Sequence, residues 1–320
     1  MEAYQSNNPS NGARKRDNSG KFYKNMLHLK RYGTLYLLLI IPFAQILLFR
    51  YTPMINILAG FKKNQFLWPL FERPWADNYG FEFFIKAFQD QYFLEALRNT
   101  FMLNILDLVL GFPIPIILAL LLNELRYMKF KRFTQTVLYM PHFLSWVIIA
   151  SLATQVFASR GIVNNFLGTS IPFLQSPINW VFTYIFVGIW ASMGWNTIIY
   201  LASITAINPE LYEAAAVDGA KRFRMMWHVT LPGIRPVIVI LLILSLGRIL
   251  GTDFERIMAM RNPLVFEYSD TISVYVYNMG IRGMQQSLAA AVGLFQSVVS
   301  VVFLLMANTI AKRFGERGIL

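Results

Sequence analysis

Along this chain hydrophobic residues gather into six long runs, at 35–60, 99–122, 133–157, 180–204, 236–258 and 288–310. An apolar helix needs about 20 residues to cross a hydrocarbon core of about 30 Å, so each run predicts a membrane-spanning helix. The first carries Arg50, Pro42 and Pro53, and the fifth is cleanly apolar only to Leu250. Shorter patterns lie between the runs. Residues 81–98 set Phe84, Ala87, Phe88, Phe93, Leu94 and Leu97 near helical spacing with charges between them. This predicts an amphipathic helix along the outer membrane surface before the second span, with Trp68 and Trp75 as interfacial anchors. The first 20 residues have no apolar content to bury and are expected to be a disordered basic tail. Lys21, Phe22, Lys24, Met26, Leu27, Leu29, Lys30 and Arg31 suit an interfacial helix on anionic lipid headgroups. The apolar run after Arg31 is too long for a signal peptide, and no small-residue cleavage site closes it.

Composition narrows the class. Hydrophobic residues make up 56% of the chain and charged ones 14%, about half of what a soluble protein carries, so the fold class is an all-α integral membrane protein. The absence of Cys excludes disulfides and thiolate metal sites. A net charge of +12 raises nucleic acid as a partner, but its distribution points to topology instead. If both ends lie on one side, segments 1–34, 123–132, 205–235 and 311–320 share a face and hold 18 Lys and Arg. Segments 61–98, 158–179 and 251–287 hold 9, and in 61–98 five basic residues are matched by five acidic ones. The positive-inside rule then places both termini in the cytoplasm of a multi-pass protein of the cell membrane. The expected organisation is a cytoplasmic segment 1–34, a six-span domain 35–310 and a cytoplasmic tail 311–320.

The loop 205–235 is too structured for a linker. Asn208 is a good N-cap, Pro209 suits the first helical position, and Glu210 favours the positive end of a helix dipole. A helix is therefore expected from Pro209 to a stop at Gly219, followed by a second over 220–229 that ends before Leu231-Pro232. Ala214, Ala215 and Ala216 make a narrow surface that another backbone can approach, flanked by Glu213 and Asp218 and followed by Lys221, Arg222 and Arg224. Such a helix suits a partner's cleft; equally, the alanines can reflect helix propensity on an ordinary surface helix.

The run Glu213-Ala214-Ala215-Ala216-Val217-Asp218-Gly219-Ala220, followed by Val229 and Leu231-Pro232, resembles the EAA loop of ABC importer permeases. The likeness extends over nearly the whole chain from Leu35. Asn99-Thr100 and the runs 111–124 and 130–148 are similar to the sugar-importing branch, and within it to the group associated with complex or acidic oligosaccharides. The resemblance implies a six-span permease whose EAA loop is a coupling helix docking on an ATP-hydrolysing subunit. The coupling positions would be Glu213, Ala214, Ala215, Asp218, Gly219, Ala220, Leu231 and Pro232. It further implies a second homologous permease subunit, two ATP-binding subunits, an extracellular or periplasmic solute-binding protein and an oligosaccharide cargo. No cofactor is expected in this chain, ATP and magnesium being bound by the ATPase partners.

Polar groups at membrane depth usually face a cavity, a partner or a transport path. Asn104 and Asp107 lie in the second run, neither with a cation in its own helix, and the fifth breaks at 247–256 around Arg248, Asp253 and Glu255. Trp190, Trp195 and Asn196 in the fourth offer flat aromatic faces and an amide, which suit a sugar but serve packing equally well. By resemblance, the broken fifth span borders the path, which raises Arg248, Asp253 and Glu255. His142 and His228 have no ligand partner one turn away, so no metal site is expected, and no phosphate loop or nucleophile elbow is present. The chain is thus expected not to be an enzyme. A self-sufficient secondary transporter is the alternative, but it predicts an internal repeat with matched broken helices, and no such repeat is visible.

Overall fold

The computed structural model describes the backbone of residues 18–65, 67–315, 318 and 319, with side chains from residue 32 onward. Its described residues are helical apart from turns, loops and one isolated bridge between Lys62 and Trp75. Six helical stretches are long and apolar enough to cross a membrane: Tyr32–Phe61, Gln91–Asn123, Trp146–Leu167, Pro177–Thr205, Arg222–Leu246 and Gln286–Arg313.

The chain divides at Asn56 into two units. The first contains α1 (Asn18–Ile46), which joins the expected interfacial segment to the first span as one helix, with Pro42 inside it. Most of the expected tail, residues 1–17, lies outside the described residues. A π-helical turn, Leu47–Tyr51, follows and carries Arg50; the Thr52 hydroxyl closes it by donating to the Leu47 carbonyl at 3.1 Å.

The second unit holds the rest. The single amphipathic helix expected over 81–98 is two, α2 (Glu82–Gln89) and α3 (Gln91–Leu106). Asp90 separates them in an extended conformation and caps α3 by accepting from the Tyr92 amide at 2.9 Å. The bend shifts the expected apolar stripe, so that Phe83, Ala87, Phe93 and Ala96 are buried while Phe88 and Leu94 are exposed. The second span thus starts at Gln91, not at residue 99, and continues through a π turn (Asp107–Gly111) into α4 (Pro113–Asn123).

The run 133–157 also proves not to be one span. After α5 (Met128–Tyr139) the chain passes through a 3-10 turn at Met140–Phe143 and an extended Leu144, and restarts as α6 (Trp146–Phe157). Pro141 lacks the amide that would continue the ladder, and the Ser145 hydroxyl caps the new helix. Hydrophobic periodicity is blind to such a break because apolar residues continue through it. The crossing stretch is consequently α6 with α7 (Ile162–Leu167).

At the centre is α8 (Pro177–Thr205), apolar on all sides as a buried helix should be. Trp180, Val181, Tyr184, Ile185, Val187 and Ala191 form the main core with Ile149, Ile257 and Val274. Buried Trp180 donates its indole N–H to the Met260 carbonyl at 2.9 Å. Gly194 lets α5 approach α8 so closely that a Cβ there would collide with the Leu138 carbonyl.

In the cytoplasmic-type loop, α9 (Pro209–Val217) starts where the N-cap pattern predicts, but Pro232 does not end the second helix. Instead α10 (Arg222–Met225) widens into a π turn, Met226–Thr230, and continues as α11 (Leu231–Leu246). The Leu231 amide bonds back to the Met226 carbonyl, and this wider turn leaves room for the Pro232 ring in the first turn of α11. The fifth span therefore covers Arg222–Leu246 rather than 236–258. After a non-helical stretch come α12 (Phe254–Met260), α13 (Phe266–Ser269), α14 (Ile272–Tyr277) and the last span, α15 (Gln286–Arg313).

Candidate functional site

Non-helical backbone at membrane depth must have its carbonyls satisfied by protein or by water in a cavity. Residues 247–253 meet this requirement through side chains from other helices. Asn104 of α3 donates to the Ile249 carbonyl at 2.9 Å, and Gln296 of α15 donates to the Leu250 carbonyl at 2.6 Å. The Thr252 hydroxyl pairs with that of Ser273 at 2.8 Å. Asp253, itself exposed, caps α12 by accepting from the Arg256 amide.

Asp107 takes its cation from another helix. Arg256 donates to its two carboxylate oxygens at 2.6 and 3.3 Å, and to the Tyr184 carbonyl at 2.7 Å. The buried guanidinium lies 3.8 Å from the centre of the Tyr184 ring and 5.6 Å from that of Trp146. Gly188 makes the seat, since a Cβ there would collide with the Arg256 head group. Burying one charge without its partner is strongly destabilising, so this pair ties α3, α8 and α12 together.

Beside this brace, α3, α4, α8 and α11 line an open cavity of about 400 Å³. Its polar lining comprises Asn104, Asp107, Ser192, Asn196, Tyr200, Ser245 and Arg248, with Phe112, Ile189, Ile199 and Leu241 among the apolar residues. Four of the sequence-selected path residues thus meet here: Asn104, Asp107, Asn196 and Arg248. The other four lie elsewhere. Trp195 stacks on His142 at 4.5 Å with the rings 9° apart, Trp190 packs against the main core, and Asp253 and Glu255 are exposed outside the cavity. Arg256 was not singled out from the sequence. Its signal was indirect: a carboxylate in an apolar run requires a cation from somewhere, and Arg256 is the last residue of the 247–256 break.

Farther along α3, fully buried Asn99 donates to the Glu267 and Asp270 carbonyls at 2.8 and 2.9 Å, and the Thr100 hydroxyl accepts from the Ile272 amide. Tyr275 donates to Asp90 at 2.6 Å, and Arg261 to Asp270 at 2.6 Å. These contacts pin the 261–277 segment onto the start of α3. Burial holds the Asp270 carboxyl above the usual carboxylate range, with Arg261 opposing it.

The positions expected to couple form a different kind of surface. The Asn208 side chain accepts from the Glu210 amide at 3.1 Å, and Gly219 takes the left-handed φ of +75° that ends the helix. Glu213, Ala214, Asp218 and Gly219 are exposed, Ala215 and Ala220 are half-buried, and Val217 is 88% exposed. Leu211, Phe223 and Trp227 add exposed apolar side chains to the same loop. Leu231 and Pro232 lie at the root, in the first turn of α11, and Tyr212 ties the helix to Thr230 through their hydroxyls at 3.0 Å. Among the described residues no group of His, Asp and Glu is arranged to hold a metal.

Residues 111–316 match the family described as binding-protein-dependent transport system inner membrane component. The polygalacturonan/rhamnogalacturonan transport system permease protein YteP of Bacillus subtilis is 42% identical over 89% of this chain and 89% of its own length. Protein LplB of the same organism is 43% identical, covering 94% of this chain and 95% of LplB. Among solved structures, a bacterial ABC transporter involved in the import of the acidic polysaccharide alginate contains a chain 39% identical to this one. The two superpose with a TM-score of 0.81 over 92% of this chain and 99% of that one. A related structure of the alginate transporter, in complex with alginate pentasaccharide-bound periplasmic protein, matches at 38% identity and the same TM-score over 91% of this chain and 98% of that one. This chain belongs to the binding-protein-dependent inner-membrane permease components of ABC transport systems.

Proposed function

We propose that this permease forms half of the translocation pore of an ATP-driven importer of polysaccharide-derived oligosaccharides, and that α9 couples it to the ATPase. The observation that carries the reading is the α9 loop. It is a short, locally capped helix whose small, acidic and apolar residues are exposed beside Arg222 and Arg224, and the same unit holds, away from this loop, a cavity lined by amide, hydroxyl and charged groups. An exposed apolar patch with a charged rim marks a protein interface. In this reading an external binding protein delivers the sugar, and closure of two ATP-binding subunits pulls on 213–219 and reorients the spans. A homologous permease completes the pore. ATP and magnesium stay on the partner subunits, so this chain is a non-catalytic component with both termini in the cytoplasm. The relatives transport or import polysaccharide-type cargo by their names, which supports the substrate class.

Reconstitution of the permease pair with and without the ATPase subunits tests this reading. Oligosaccharide uptake that requires both ATP and the ATPase is expected. Uptake by the permeases alone that follows an ion gradient would instead favour a secondary transporter.

A further inference from the structure

The titratable groups lining the cavity are Asp107, Tyr200 and Arg248. They are not equivalent. Both Asp107 oxygens are engaged by Arg256, so that charge is already matched, and a phenol such as Tyr200 is neutral at physiological pH. Arg248 stands two residues past the end of α11, on the non-helical stretch, and is exposed in this chain where it lines the cavity. Its guanidinium has no hydrogen bond, ion pair or ring contact among the described residues. Arg cannot shed its proton, and a cation at membrane depth is retained only where it faces water, a partner or a path. The Asn196 amide of α8 also lines the cavity, with no hydrogen bond among the described residues. A larger cavity of about 560 Å³ beside α6 and α12 differs in that Arg261 and Asn262 there are engaged, by Asp270 and by the Leu174 carbonyl.

We propose that Arg248 is the carboxylate-binding cation of the translocation cavity, so that the cargo's acidic sugar units, uronates, are held there during passage. The proposal rests on the oligosaccharide-importer reading above and names the substrate chemistry within it. A guanidinium grips a planar carboxylate through two parallel N–H bonds, and the Asn196 amide then has a ring hydroxyl to meet. One uncompensated guanidinium matches one negative charge. A volume of about 400 Å³ is in the range of small-molecule sites, so the cavity takes a short stretch of the chain at a time.

The test is ATP-driven uptake of trigalacturonate and of neutral maltotriose by proteoliposomes holding the complete transporter and its binding protein. The wild type is expected to import trigalacturonate. Arg248→Gln should lower that uptake about 10- to 100-fold, the range for losing a charged hydrogen-bonded pair, and Arg248→Lys should restore part of it. All subunits should co-purify with both variants in wild-type ratio. Wild-type uptake of trigalacturonate by Arg248→Gln would overturn the proposal. So would loss of the second permease from that complex, which would make Arg248 a subunit contact. A wild type that imports maltotriose but not trigalacturonate would overturn the proposal and leave the importer reading intact. A wild type that imports no saccharide with ATP present would remove the importer reading itself, and this proposal with it.

Discussion

The α9 loop and the stretch at 247–253 both depart from plain membrane helix, and they hold themselves together in opposite ways. In the loop nearly every bond is local: Asn208 caps the Glu210 amide, and the Gly219 and Ala220 amides close on the Ala216 and Ala215 carbonyls. Its tie to Thr230 spans 18 residues. Around the broken fifth span the partners are remote. Asn104 reaches Ile249 across 145 positions, Gln296 reaches Leu250 across 46, and Asp107 reaches Arg256 across 149. A locally closed helix keeps its shape while its outer face stays free for a partner. A stretch braced by α3, α8 and α15 holds a cavity of defined lining inside the membrane. Substitutions in the brace should therefore cost stability, and substitutions in the loop should cost coupling.

The largest stability effect is expected from Asp107→Ala. It strands the buried Arg256 charge and should destabilise by about 3–5 kcal/mol, read as a large fall in the melting temperature of the purified complex. Unchanged melting would show that the brace holds little energy and would erase the contrast. Asn99→Ala comes next. It leaves the Asp270 carbonyl without its donor and the Glu267 carbonyl with only Arg98, at about 1–3 kcal/mol, and should open 261–277 to hydrogen exchange before the rest of the fold. Loss of the loop's cap in Asn208→Ala should cost about 1 kcal/mol of helix stability. Here the expected signature is faster exchange confined to α9, with global melting hardly moved. Glu213→Arg, on an exposed face, should change stability by less than about 0.5 kcal/mol and yet impair coupling, which is the sharpest form of the difference.

The same contrast explains what could be read before the structure was known. The α9 helix was legible because its N-cap, first-turn proline and closing glycine sit within a dozen residues and act on one another. The presence of six spans was legible from run length, which needs no tertiary information. Breaks were harder. Helical spacing of apolar residues carries on across Asp90 and hydropathy carries on through 140–145, whereas the backbone bends there because of a capping carboxylate in one case and a proline in the other. At Pro232 the error ran the other way, since a π turn accommodates a residue that ordinarily stops a helix. The cavity was half legible. Polar residues in apolar runs identified Asn104, Asp107, Asn196 and Arg248, but pairing Asp107 with Arg256 requires knowing which helices touch. The tryptophans show the limit of side-chain chemistry alone: Trp195 lies outside the cavity lining, with one ring face stacked on His142 and the side chain 43% exposed.

The central claim is that α9 transmits ATP hydrolysis to the spans. Its most direct test is ATP hydrolysis by the reconstituted complex with sugar-loaded binding protein, comparing wild type with Glu213→Arg and Gly219→Pro. The second change forbids the φ of +75° at which the helix ends. The account predicts that loaded binding protein stimulates hydrolysis in the wild type and no longer does so in either variant, although all subunits still co-purify. Full stimulation retained in both variants would contradict it.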